Sequence, residues 1–398
     1  MPSVPQYEID RRIKVFQSKL AQNSLDAALI VQRADLYYFS GTGQDAHLLI
    51  PSDGTPLLMV RKSFERARQD SPLENIVPLH GLSELSDIIE AVFPCHFRRL
   101  GMELDVLPVN NFRSYTRLFP SAEVCDVSKL IRETRMVKSI YELGLQRRAA
   151  KLNDEMFNIV AEVLEEGLSE IELAGILESF YRKRGHQGLV RVRGFNQEVF
   201  YGHIMSGENL AVPSCSVGPT GGPGPNPSMP QGAGTKKIRA GEPIQIDYVG
   251  IVDGYMVDQA RTFFIGNAPE TFSRIHSVAL EIQEALSRIG KPGVSTEALY
   301  DLAVQMSEVV GESAHFMGFP SPVSFVGHGV GLELDELPVI GKKSPHVLEE
   351  GMVLALEPKF IIPGKGLAGI ENTFVVGQDG MEKLTNFGDE LHVIDQVS

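Results

Sequence analysis

The sequence predicts a mixed α/β (α+β) protein of two domains, residues 1–135 and residues 136–398. Three observations support this. At 398 residues the chain is longer than one hydrophobic core usually serves. Strand-like and helix-like segments alternate up to about residue 134. From Met136 onward long stripes of 3.6-residue period take over, each followed by strand pairs.

Taken in order, Ile9, Ile13, Phe16 and Leu20 form one face of a helix, and Ala27-Ala-Leu-Ile-Val31 reads as a strand. His47–Pro51 and Pro56–Val60 flank Asp53-Gly54, a hairpin signal. In the second domain Leu145, Ala149, Leu152, Met156, Ile159 and Val163 make a core-facing stripe. Ser169-Glu-Ile-Glu172 is a capping box that opens the next helix. Ile275, Val278, Ala279, Ile282, Leu286 and Ile289 form the cleanest stripe of the chain. Residues 218–234 hold eleven Gly or Pro in seventeen positions, which rules out a regular helix and argues against a strand. Such a segment is read equally as a lid or specificity loop and as an ordered surface loop or subunit contact.

Five side chains in the last third carry the chemistry: Asp247, Asp258, His328, Glu357 and Glu371. Residues 244–252 and 255–265 read as strands joined by the two-residue turn Asp253-Gly254. If Val252 faces Tyr255, Val249 faces Asp258, and both aspartates point to one face as diagonal neighbours. Carboxylates that close repel unless a cation or proton lies between them. His328 sits in Gly-His-Gly-Val-Gly, where glycines let backbones approach and leave the ring accessible. Glu357 ends the run Val-Leu-Ala-Leu-Glu before Pro358, and Glu371 begins Glu-Asn-Thr-Phe-Val-Val. Singly, each is an ordinary loop histidine or strand-end acid. Together, four carboxylates and one imidazole suit a pair of divalent first-row ions better than a structural zinc.

The order and spacing of these residues resemble the pita-bread metallopeptidases, the family of methionine aminopeptidase, prolidase, aminopeptidase P and creatinase. Arg135-Met-Val-Lys-Ser-Ile-Tyr-Glu142 and Ser206-Gly-Glu-Asn209 are similar to segments of its proline-specific branch. The resemblance implies a creatinase-type N-terminal α/β domain with an RNase-H-like sheet, followed by a pita-bread catalytic domain of two α-β halves in pseudo-twofold relation. It also implies a dinuclear hydrolase acting through a metal-bridging hydroxide on a peptide or other small C–N bond, most plausibly next to proline. Asp247 would chelate one ion, His328 and Glu357 the other, with Asp258 and Glu371 bridging. Glu357 would also carry the proton from nucleophile to leaving nitrogen. The ions expected are Mn, Co, Fe or Zn, and a homodimer is expected by analogy.

The chain departs from that pattern at its accessory histidines. Ser214 and Asp335 stand where the proline-specific relatives place histidines, and Ser324 replaces a third found in some. Serine has no useful pKa near neutrality, and an aspartate beside divalent ions stays ionised. His203 in Phe-Tyr-Gly-His-Ile is the best replacement, and His315 a weaker one. The alternative function is therefore a non-peptidase: a creatinase-like small-molecule hydrolase or a binding protein. A net charge of −14 argues against nucleic acid and anionic membrane as partners. Three cysteines (Cys95, Cys125, Cys215), no apolar signal core and no membrane-length window fit reduced thiols in a cytoplasmic protein.

Overall fold

The computed structural model describes residues 4–93 and 97–395, so Cys95 lies outside the described residues. The chain divides into two compact units, Met1–Arg135 and Met136–Ser398.

The first unit is built on one six-stranded sheet: β1 (Ala27–Ile30), β2 (Ala46–Pro51), β3 (Leu57–Val60), β4 (Ile76–Pro78), β5 (Arg99–Met102) and β6 (Glu123–Asp126). The strand order is β4-β3-β2-β1-β5-β6. β1, β2 and β3 are antiparallel neighbours, while β5 and β6 run parallel to β1 on its other side. In the helix Gln6–Gln22 the stripe Ile9, Ile13, Phe16 and Leu20 is buried. Arg12 is buried with it, donating to Glu8 and to the Tyr38 carbonyl, so its charge is paired.

In the second unit a helix pair followed by antiparallel strands occurs twice. Helices Ile140–Val163 and Glu170–Lys183 precede β7 (Gly202–Ser206), β8 (Ile244–Val252) and β9 (Tyr255–Ile265). Helices Glu270–Ile289 and Thr296–Val309 precede β10 (Phe325–Gly329), β11 (Glu336–Gly341), β12 (Val353–Leu356), β13 (Lys359–Ile362), β14 (Gly366–Gly369), β15 (Asn372–Val376) and β16 (Met381–Lys383). The last strand, β17 (His392–Ile394), joins the first of these sheets, which is ordered β17-β9-β8-β7; the second is ordered β11-β10-β12-β15-β16, with β13 and β14 as a separate pair. An isolated bridge between Ala260 and Glu371 connects the two larger sheets.

Each helix pair covers its own sheet. Leu152, Met156, Leu173 and Leu177 pack on Ile204, Ile246 and Phe263, and Ile275, Ile282 and Leu299 pack with Leu354, Leu356 and Phe374. Ile159 and Val163 of the first stripe are only partly buried at its margin. Ile289 departs from the expected stripe and is exposed at the last residue of its helix. The capping box is formed, with Ser169 Oγ accepting from Glu172 N and the Glu172 carboxylate accepting from Ser169 N.

Candidate metal centre

The hairpin β8–β9 has the register expected from its turn. Val252 opposes Tyr255 and Val249 opposes Asp258, while Asp247 opposes Ala260. Asp253 (φ 49°) and Gly254 (φ 88°) both adopt the left-handed conformation that a two-residue hairpin of this kind requires. Period-two alternation then turns Asp247 and Asp258 into one cavity.

From the second sheet, His328 lies in β10 between β11 and β12. Its flanking glycines are there for backbone approach. A Cβ on Gly327 would lie 2.4 Å from the Ala355 carbonyl oxygen, and one on Gly329 would lie 2.3 Å from that of Leu337. His328 is 6% exposed, so the glycines do not open it to bulk solvent, and its ring borders the cavity. Nδ1 lies 3.1 Å from the Leu334 carbonyl, which fixes it as the donor and leaves Nε2 free to accept or ligate. Nε2 is 3.8 Å from Glu357 Oε1 and 3.9 Å from Glu371 Oε1. Glu357 follows β12, its amide held by Val326, and Glu371 precedes β15.

One ligand atom each from Asp258, His328 and Glu371 all fall within 4.8 Å of one another, and all three residues are buried. Burial raises the pKa of Asp258 well above the carboxylate range, and Glu371 and Asp247 add repulsion. Burial likewise raises Glu371, with Glu357 and Asp247 adding to it against the opposing Lys359. Crowded buried acids of this kind call for positive charge, and an imidazole with two carboxylates is a fitting donor set for a divalent first-row ion.

A residue absent from the sequence reading occupies the other side of the cluster. Lys359 Nζ donates to Asp247 Oδ2 at 2.8 Å, Glu357 Oε2 at 3.0 Å and Glu371 Oε2 at 2.7 Å. Burial disfavours its charge, but Asp247, Glu357 and Glu371 more than offset that and hold its pKa well above the ordinary lysine value. The signal was present in the sequence: position 359 is two beyond Glu357, hence on the same side of an extended chain.

The cavity above these groups, about 750 Å³ including open solvent, is lined by His203, Ser214 and Asp335 as well as by the cluster. His203 lies in β7 opposite Asp247. Its Nε2 is shielded from solvent and has no hydrogen-bond partner among the described residues, and burial lowers the ring's pKa. Asp335 Oδ1 is 3.7 Å from His328 Nδ1, on the side of the ring away from Glu357 and Glu371. His315 sits in the short turn Ser313–His315 beside Glu312 and takes no part in the cavity lining. Ser324 lines a neighbouring depression with Phe325 and Val339.

The Gly/Pro segment supplies a wall through Gly218, Pro219, Thr220 and Gln231. It is tied down: Thr220 Oγ1 donates to the Leu210 carbonyl, and Gly232 N donates to that of Gly221. Glu170 ties the segment's last residue to the Ser206–Asn209 stretch upstream, accepting from Gly234 N, Ser206 N and Asn209 Nδ2. This gives Ser206 and Asn209 a structural role.

A buried carboxylate–imidazole cluster at the junction of two α-β halves defines a metal-dependent hydrolase. The profile of Metallopeptidase family M24 matches residues 144–378, and that of the Creatinase/Prolidase N-terminal domain matches residues 12–137. The chain belongs to metallopeptidase family M24, a pita-bread fold preceded by a creatinase-type domain, and that membership implies divalent metal ions. It is 27% identical over 384 residues to the Xaa-Pro dipeptidase of Pyrococcus furiosus, covering 96% of this chain and 99% of that protein. Among solved structures, the prolidase from Pyrococcus horikoshii OT3 superposes with a TM-score of 0.79 at 25% identity, covering 95% of this chain and 99% of that one. The Xaa-Pro dipeptidase from Bacillus anthracis shares the fold with a TM-score of 0.82 at 24% identity, covering 97% and 100%.

Proposed function

We propose that the protein is a metal-dependent peptidase acting on short peptides at an Xaa-Pro bond. The observation that carries this reading is the convergence of Asp258, His328 and Glu371 at the floor of an open cavity. A divalent ion bound there supplies Lewis acidity, polarising a carbonyl and acidifying a water. The remaining work falls to the chain. Asp258, His328 and Glu371 hold the ion, with Glu357 beside them, and Mn, Fe, Co and Zn all suit this donor set. Of the two ions expected from the sequence, this one has direct geometric support.

Glu357 directs one carboxylate oxygen into the cluster and is the group to carry a proton from nucleophile to leaving nitrogen. His203, on the cavity wall beside Asp247, is the candidate to hydrogen-bond substrate. Ser214 offers a hydroxyl, and Asp335 a negative charge suited to a cationic group on the substrate.

A second reading, a creatinase-like small-molecule hydrolase or a catalytically weak binding protein, is favoured by Ser214 and Asp335 on the cavity wall. An assay of the metal-loaded protein against Xaa-Pro dipeptides and guanidino or betaine-like compounds separates the two. We expect weak Xaa-Pro turnover, because each missing imidazole removes help worth roughly a hundredfold. Ser214→His combined with Asp335→His should raise it at least about tenfold. Robust Xaa-Pro cleavage by the unmodified protein, indifferent to Asp335→Asn, would show that neither departure matters.

By analogy with the proline-specific branch we also propose a homodimer in the cytoplasm. Among the described residues no helix is long and apolar enough to cross a membrane. Light scattering should give twice the chain mass of 43.7 kDa, and a clean monomer retires the dimer.

A further inference from the structure

Lys359 uses all three ammonium donors on carboxylates of the cluster, one each on Asp247, Glu357 and Glu371. Its side chain is 3% exposed. The backbone beneath it is fixed on both sides. Lys359 pairs with Gly369 across β13 and β14, and its carbonyl accepts from Met317 N. The lysine stem lies against Gly369, where an added Cβ would come within 2.9 Å of Lys359 Cγ. The strand pair is thus shaped to seat this side chain.

The two glutamates divide their oxygens in a telling way. Oε2 of each accepts from Lys359, while Oε1 of each faces His328 Nε2. Each therefore bridges the ammonium and the position framed by Asp258, His328 and Glu371. Asp247 points its Oδ2 to the ammonium and is not among the residues whose ligand atoms converge on that position. An ion placed on Asp247 would have to share its carboxylate with a buried positive charge and would be repelled by it.

We propose that the Lys359 ammonium is the resident second cation of this centre, so that the protein holds one divalent ion and not two. The ion sits on Asp258, His328 and Glu371, with Glu357 beside it, and Asp247 serves as a counter-charge for Lys359. This rests on the metallopeptidase reading and specifies its metal count.

The test is elemental analysis of protein stripped with chelator, reloaded with excess Mn²⁺ or Co²⁺ and desalted. The unmodified protein should retain one ion per chain. Lys359→Met keeps the apolar stem against Gly369 and removes the charge, and should raise the count to two. Lys359→Arg keeps the charge and should stay at one. Asp247→Asn in the unmodified background should also stay at one, and it decides the matter if Lys359→Met does not fold. Two ions in the unmodified protein overturn the proposal and leave the metallopeptidase reading intact. No ion at all overturns both. A single ion in Lys359→Met, or none in Asp247→Asn, overturns the assignment of Lys359 as the second cation.

Discussion

Asp258→Asn is expected to weaken binding of the divalent ion by roughly a hundredfold or more, because even residues that only support metal ligands cost 10–100-fold when removed. Peptidase turnover at fixed metal should fall at least in proportion. The side chain is nearly isosteric, and its backbone ties survive, since Thr373 Oγ1 accepts from Asp258 N and donates to Asp258 O regardless of what the side chain carries. Folding should therefore be spared. The metal-free protein should be no less stable, because the amide carries no charge for Glu371 and Asp247 to repel. Calorimetric metal titration and urea unfolding in chelator read the two effects separately. Unchanged metal affinity would remove Asp258 from the ligand set, and a large loss of metal-free stability would make its role structural.

How much of this was legible in the sequence depends on how local each signal is. Turn chemistry and strand alternation act over a few residues, so Asp253-Gly254 sufficed to put Asp247 and Asp258 on one face with the register observed. The stripe Ile275 to Leu286 was equally local and is buried throughout. Lys359 shows the limit. That it shares a face with Glu357 follows from strand geometry, but its partner Asp247 is 112 residues away, on a different sheet. Composition made the Gly/Pro segment readable as irregular, yet its place on the cavity wall depends on Glu170 and Thr220, which no periodicity marks. The glycines around His328 imply, in sequence, both approach and access. The neighbouring strands show that only approach was needed, because those strands bury the ring.

Arg261 is the other residue whose role the sequence left hidden, and Arg261→Leu should destabilise the protein by about 3–5 kcal/mol, since several buried acceptors would each lose their donor at a cost of about 1–3 kcal/mol. Its side chain is fully buried, and the guanidinium fans out to six oxygens: the carbonyls of Ala260, Glu371, Phe387 and Gly388, and the side chains of Asn372 and Asp389. Leucine fills much of the volume but leaves those acceptors without a donor, several of them shielded from water. The loss is also directional. The Ala260 and Glu371 carbonyls belong to the backbone bridge between the two sheets beside the metal cluster. Loosening that bridge should weaken metal binding as well as folding, even though Arg261 touches no ligand side chain. Lys383 provides the control, since it pairs with the same Asp389 at 2.5 Å but is 30% exposed. Lys383→Ala should therefore change stability by less than about 1 kcal/mol and leave the metal affinity alone. Urea unfolding and metal titration of both variants give the comparison. Equal effects from the two substitutions would mean that the Asp389 pair, and not the carbonyl fan, is what Arg261 contributes.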